Sequence, residues 1–220
     1  MVLYLPTATH QGDGSPGDEF HAGTHFNRKI TWWNQAKSLT DYFARCSYLL
    51  QQGLFVADVC YYYGDGAPNF VAPKHVDPSL GVGYDYDVCN AEVLLTRTTV
   101  RDGRVVLPDG MSYRLLVLPE RNVMPVEVLQ KICALVAAGA TVVGPKPEKD
   151  TGLKNYPQCD EEIKQLAAEL WGPCDGKTVT EHHFGKGCII WGKKLRDILT
   201  ANRVSPEYIL RVFTPQVSGQ

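Results

Sequence analysis

RLLVLPERNVMPVEVLQKICALVAAGATVVG, residues 114–144, holds the pattern that decides the fold. From Arg114 to Pro119 the Leu and Val residues run without polar alternation, as in a strand buried on both faces. Over 125–138 the period changes: Val128, Leu129, Ile132, Leu135 and Val136 share one side of a helix. Pro125 stands at its first turn, where a missing N–H costs nothing, and Gly139 ends it. ATVVG, residues 140–144, then returns to strand. Buried strand, amphipathic helix and second buried strand make a right-handed βαβ unit with parallel strands.

The same alternation extends in both directions. Upstream, LFVADVCYYY (54–63) reads as another doubly buried strand, followed by a loop from Gly64 to Gly83 with Pro68, Pro73 and Pro78. A connection that long in a compact domain often carries function. DVCNAEVLL (87–95) reads as a short helix with Asp87 at its N-cap. Asp102-Gly103 marks a two-residue hairpin turn. Downstream come a helix over 159–171, a strand GCIIW at 187–191 and a last helix over 193–202. We therefore expect an α/β fold: a flavodoxin-like (amidotransferase-like) open parallel sheet with helices on both faces, in three α/β/α layers. A fragment of a β/α barrel has the same local alternation, but the chain lacks eight βα units.

Residues 1–30 are rich in Gly, Asp and His, lack periodicity and read as an irregular N-terminal segment. A helix is expected from an N-cap at Thr31, with Trp33, Ala36, Leu39, Phe43, Cys46 and Leu50 on one face and Gly53 as its C-cap. The expected domain spans 31–205, and 206–220 form a tail.

The chain has 220 residues, 44% of them hydrophobic, enough for one ordinary core. Its formal charge of −2, with Lys and Arg scattered, supports neither nucleic-acid nor anionic-membrane binding. No stretch approaches the roughly 20 apolar residues of a membrane helix. The start, MVLYLPTATHQ, has no basic n-region or cleavage signature, so a cytoplasmic chain is expected as written; a secreted or periplasmic parent stays open. Seven cysteines without a CxxC pair fit neither a zinc ribbon nor a thioredoxin site and read as buried reduced thiols. No metal or cofactor is expected.

Walker A, HExxH and nucleophile-elbow motifs are absent from the sequence. Glu181-His182-His183 reads as a solvated loop, because adjacent side chains of an extended segment point to opposite faces. Cys188 begins an apolar run and reads as packed. The loop holding Asp65, Asn69, His75 and Asp77, together with Asp85 and Asp87 of GYDYD, is expected outside the carboxyl ends of the strands, where open α/β sheets bind ligands. An ordinary surface loop is the bland alternative. Asp65, Asp85 and Asp87 are the candidate carboxylates for acid/base work. His25, Asn27, Trp32 and Trp33 combine rings with hydrogen-bonding groups, as a sugar-binding surface does; on composition alone, two tryptophans opening an amphipathic helix and packing is the reading we favour.

Five phrases carry a resemblance: GTHFNRKITWWNQA (23–36), LLQQGLFVADVCYYYGDGAPNFV (49–71), GYDYDVCNAEVLL (83–95), LPDGMSYRLLVLPE (107–120) and AAGATVVGPKP (137–147). In this order they resemble the α-L-rhamnosidase-like glycoside hydrolases, family 106, over about Glu19 to Asn202. The resemblance implies the end of a catalytic barrel passing into a flavodoxin-like domain of the type that helps β-galactosidases form oligomers. It implies a carbohydrate or glycoside as partner and a homo-oligomer. None of the acidic residues here matches the family's catalytic pair, which we expect upstream. His25, Asn27, Trp32, Trp33 and Asn69 are the candidate substrate contacts. Three functions follow as expectations: an accessory or oligomerisation domain of a glycosidase, a small self-standing glycosidase using an Asp pair, or a non-catalytic sugar-binding module.

Overall fold

Leu115, Leu116 and Val117 are almost completely buried, and they form the central strand of the sheet that organises the chain. The computed structural model describes residues 31–66, 80 and 83–202, and divides the chain between Leu54 and Phe55 into two units. In the first, a single 3-10 turn (Trp33–Gln35) leads into α1 (Ala36–Leu50). Ala36 is its one buried residue; Lys37 and Asp41 pair one turn apart, while Tyr48, Leu49 and Leu50 are exposed. The helix ends at Gln51 in right-handed conformation, without the glycine cap expected at Gly53.

The second unit runs through β1 (Val59–Tyr62), β2 (Tyr86–Cys89), α2 (Ala91–Arg97), β3 (Thr99–Arg101), β4 (Arg104–Val106), β5 (Ser112–Tyr113), β6 (Leu115–Val117), α3 (Val126–Ala138), β7 (Thr141–Val143), α4 (Gln158–Trp171), β8 (Glu181–Phe184), β9 (Gly187–Ile190) and α5 (Leu195–Ala201). The main sheet has the order β2-β1-β6-β7-β9-β8. All neighbours are parallel except β8, which lies antiparallel on β9 as the outer strand. The five parallel strands thus follow the flavodoxin-like order, second-first-third-fourth-fifth, and the order reverses between β1 and β6.

Alternation along the strands sends side chains to two helix-covered faces. Cys60, Tyr62, Leu116, Val142 and Ile189 join the core built with α2, α3 and α4. Here α3 lies between the other two and contributes the apolar side read from its sequence. Trp171, fully buried at the end of α4, donates its indole N–H to the Gly144 carbonyl at 3.1 Å. Val59, Leu115, Val117, Val143 and Ile190 face the other way, against Ile198 and Leu199 of α5 and against Leu80 and Tyr84. The three-layer arrangement follows.

Several boundaries differ from the sequence reading. β1 starts at Val59, not Leu54: Leu54, Phe55 and Val56 are more than half exposed, and pairing with β6 begins only where the Asp58 carbonyl accepts the amides of Arg114 and Leu115. The segment read as helix from Asp87 is strand β2, and the helix starts after Asn90, whose side chain accepts the Val93 amide at 2.9 Å as the true N-cap. Glu181-His182-His183 belongs to a strand, not a loop; its polar residues suit a sheet edge.

Left-handed backbone shapes several turns, two of them hairpins of the sheets. Asp102 (φ 52°) and Gly103 (φ 73°) form the expected hairpin between β3 and β4, whose partner β5 completes a small antiparallel sheet. Gly185 (φ 62°), between β8 and β9, is pressed onto α3: a Cβ there would meet Ala137 Cα at 2.6 Å, and the Lys186 amide donates to the Ala137 carbonyl.

Candidate functional site

The point where strand order reverses leaves a crevice, because the connections after β1 and β6 leave in opposite directions. Beyond the carboxyl ends of these strands lies a cleft of about 280 Å³, lined on the β1 side by Tyr62, Gly64, Asp65 and Gly66. Buried Tyr62 donates its hydroxyl to the Asp65 carboxylate; burial, and then that bond, push the Tyr62 pKa well above its ordinary value. Gly64 (φ 84°) turns the chain so that Asp65 can fold back on the tyrosine three residues earlier.

The opposite wall comes from the loops after β6 and β7. Val123 and Lys149 form a parallel bridge, and the Met124 and Glu148 amides donate across it to Lys149 and Asn122 carbonyls. This pairing fixes Arg121 beside the cleft. Its guanidinium lies across Gly66: a Cβ on that glycine would stand 1.8 Å from Arg121 Nη1. Asp150 completes the wall, but both its oxygens are engaged, one by the Val126 amide at the start of α3 (3.1 Å) and one by the Gly152 amide (2.5 Å). It therefore acts as a cap for α3.

On the far side of the 119–123 loop is a second, more open cleft of about 490 Å³, bounded by Glu120, Arg121, Asn122, Pro145 and Trp191. Half-buried Trp191 follows β9. Gly176 (φ 71°) sits over its ring face, where a Cβ would approach three ring carbons to between 2.6 and 2.9 Å.

The three candidate carboxylates are not brought together. Asp65 lines the cleft. Asp85 precedes β2 and accepts the Tyr86 amide at 2.9 Å, while its carbonyl accepts the Asp58 amide; it stands at the amino end of the sheet. The expectation that GYDYD lies at the carboxyl end fails because the segment leads into a strand rather than a helix. Asp87 lies within β2, accepting the Tyr113 hydroxyl and the Val88 amide, each at 3.0 Å. Trp32 and Trp33 belong to the first unit, at the 3-10 turn before α1, half-buried and exposed respectively. His25, Asn27, Asn69, His75 and Asp77 lie outside the described residues.

All seven cysteines are free thiols. Cys60 and Cys89 adjoin on the α3 side of the sheet; their mutual hydrogen bond raises the Cys60 pKa and lowers that of Cys89. Burial pushes Cys133 up to about 11, so it stays a thiol at neutral pH. Among the described residues no helix is long and apolar enough to cross a membrane.

Arg121 and Asp150 escape sequence reasoning because each stands alone in a loop, and Trp191 because it reads as the last residue of the strand GCIIW, whereas β9 ends at Ile190. The one available signal is positional: residues directly after the first and third parallel strands flank the reversal point.

Residues 2–217 match the family described as alpha-L-rhamnosidase, glycoside hydrolase family 106. A protein of Formosa agariphila, named "Putative beta-glucuronidase", is 40% identical over 185 residues, which cover 82% of this chain and 16% of that protein. The solved structure of a rhamnosidase from Novosphingobium sp. PP1Y superposes with a TM-score of 0.67 at 33% identity, over 84% of this chain and 17% of the other. The chain thus spans about one sixth of the length of the proteins it matches.

Proposed function

The chain belongs to the alpha-L-rhamnosidase family of glycoside hydrolases, and we propose that it is the non-catalytic α/β accessory domain of a larger carbohydrate-active enzyme, with the acid/base pair supplied by another part. One observation carries this reading. Glycosidases set two carboxyl groups about 5–10 Å apart across the scissile bond. In the cleft, Asp65 holds the Tyr62 hydroxyl and Asp150 holds the start of α3, while Asp85 and Asp87 serve other parts of the sheet. A carboxylate committed to fixed backbone or phenol donors is poorly placed to exchange protons with a substrate. The parent's substrate on this reading is a glycoside, with a rhamnoside or a glucuronide as the first choices from the named relatives. Self-association of the domain fits the same role.

The test is hydrolysis of nitrophenyl glycosides by the purified chain, with rhamnoside, galactoside and glucuronide in the panel. The expected outcome is no turnover above background from a folded sample. Robust hydrolysis that disappears in Asp65→Asn would overturn the accessory role and favour a self-standing glycosidase.

A further inference from the structure

The two clefts share Arg121 and lie on either side of one short loop at the carboxyl edge of the sheet. We propose that together they form a binding groove for a neutral saccharide, reaching from Asp65 past Arg121 to Trp191. The inference rests on the carbohydrate reading above for its choice of ligand, and on geometry for its place.

The groove holds what a polyhydroxyl ligand needs. Sugar hydroxyls both donate and accept, so a site must offer both kinds of partner. Carboxylate acceptors come from Asp65 and Glu120, and N–H donors from Arg121 and from the Asn122 side-chain amide, which also donates to Glu148 at 3.3 Å. Sugar rings also present C–H faces that rest on aromatic rings. Trp191 lines the groove, its ring fixed by Gly176 on one face and by packing against the core, so the part of the indole in the cleft meets a ligand without first losing much freedom. Charge selects within the class. Among the described residues that line it, and with Asp150 counted, three carboxylates stand against the guanidinium of Arg121. A phosphate or uronate would add a further negative charge beside them, whereas a neutral sugar adds none.

Gly66 is the positioning residue of the groove. Its missing Cβ is the space the Arg121 guanidinium occupies, and its φ lies outside the left-handed region that favours glycine. Gly66→Ala therefore displaces the arginine without backbone strain, which separates loss of the donor from loss of the fold.

The experiment is amide chemical-shift mapping of the full chain with methyl α-L-rhamnoside as the neutral probe and D-galacturonate as the charged one. Shifts are expected at Gly64, Gly66, Arg121, Asn122 and the Trp191 indole, with millimolar affinity for the neutral sugar and weaker binding of the acid. Arg121→Ala, Gly66→Ala and Trp191→Ala should each weaken binding roughly tenfold or more, and Trp191→Phe should retain most of it. Should Trp191→Ala fail to fold, Gly66→Ala and Trp191→Phe carry the test. Shifts absent or scattered in a well-dispersed spectrum, full affinity in Gly66→Ala, or tighter binding of the galacturonate would each overturn the groove. Turnover by the chain would overturn the accessory role and leave the groove standing; no turnover and no shifts would do the reverse.

Discussion

The two faces of the main sheet are built from similar strand residues, but the described residues of the second unit cover them very differently. On one, α2, α3 and α4 lie side by side, and Cys60, Leu116, Val142 and Ile189 are sealed beneath them. On the other, the described cover is the seven-residue α5 with Leu80 and Tyr84. At the β2 edge of that face Val88 is exposed, and Tyr61 and Tyr86 are half-buried, their rings edge-to-face with centroids 5.2 Å apart. A strand without polar alternation reports that both of its faces are apolar, and says nothing about how thick a cover each receives. Among the described residues, the first cover is one packed unit, while the second consists of a few anchors and of aromatic rings that shield each other.

Substitutions on the two faces can break this contrast. The largest effect is expected from Trp171→Ala under the thick cover, about 3–5 kcal/mol in urea denaturation, because a fully buried ring and its bond to Gly144 are both lost. Leu199→Ala on α5 should cost less, about 2 kcal/mol, since a short helix settles into the space left behind. An equal cost for the two would show that the thin face is as rigid as the thick one.

A smaller effect is expected at alkaline pH. Burial, and then the neighbouring Tyr86, push Tyr61 up to about 12. The folded chain therefore holds this proton more tightly than the unfolded chain, whose tyrosine titrates near 10. The resulting stabilisation is complete below pH 10 and is lost as pH rises from about 10 to about 12. Denaturation midpoints of Tyr61→Phe should fall less than those of the parent chain across that window. Least of all should come from Val88→Thr, within about 0.5 kcal/mol, as this side chain is already in water.

How much could be read in advance follows the same contrast. α3 was legible because Pro125, five apolar positions and Gly139 all agree, and the Asp102-Gly103 turn because both residues tolerate the left-handed backbone. β2 was misread because the four residues YDVC carry too few positions to show a period, and Asp87 imitates the cap that Asn90 provides. β8 was missed because a polar strand at a sheet edge looks like a loop. For the cleft, Asp65 was legible from the loop after the first buried strand. Arg121 and Trp191 were not, because only the spatial order of β6, β7 and β9 brings 119–123 and 191 to one edge.

The turn between β8 and β9 has a consequence for anyone who would re-engineer the chain. Hairpin tips are ordinarily where new ends, tags or inserted domains are tolerated. Gly185 is not such a place: its backbone lies against Ala137, and the next amide finishes the last turn of α3. Opening the chain there would unseat a core helix along with the outer strand. The Asp102-Gly103 turn meets no contact closer than 3.8 Å at its glycine, so a graft or permuted terminus belongs at that hairpin instead.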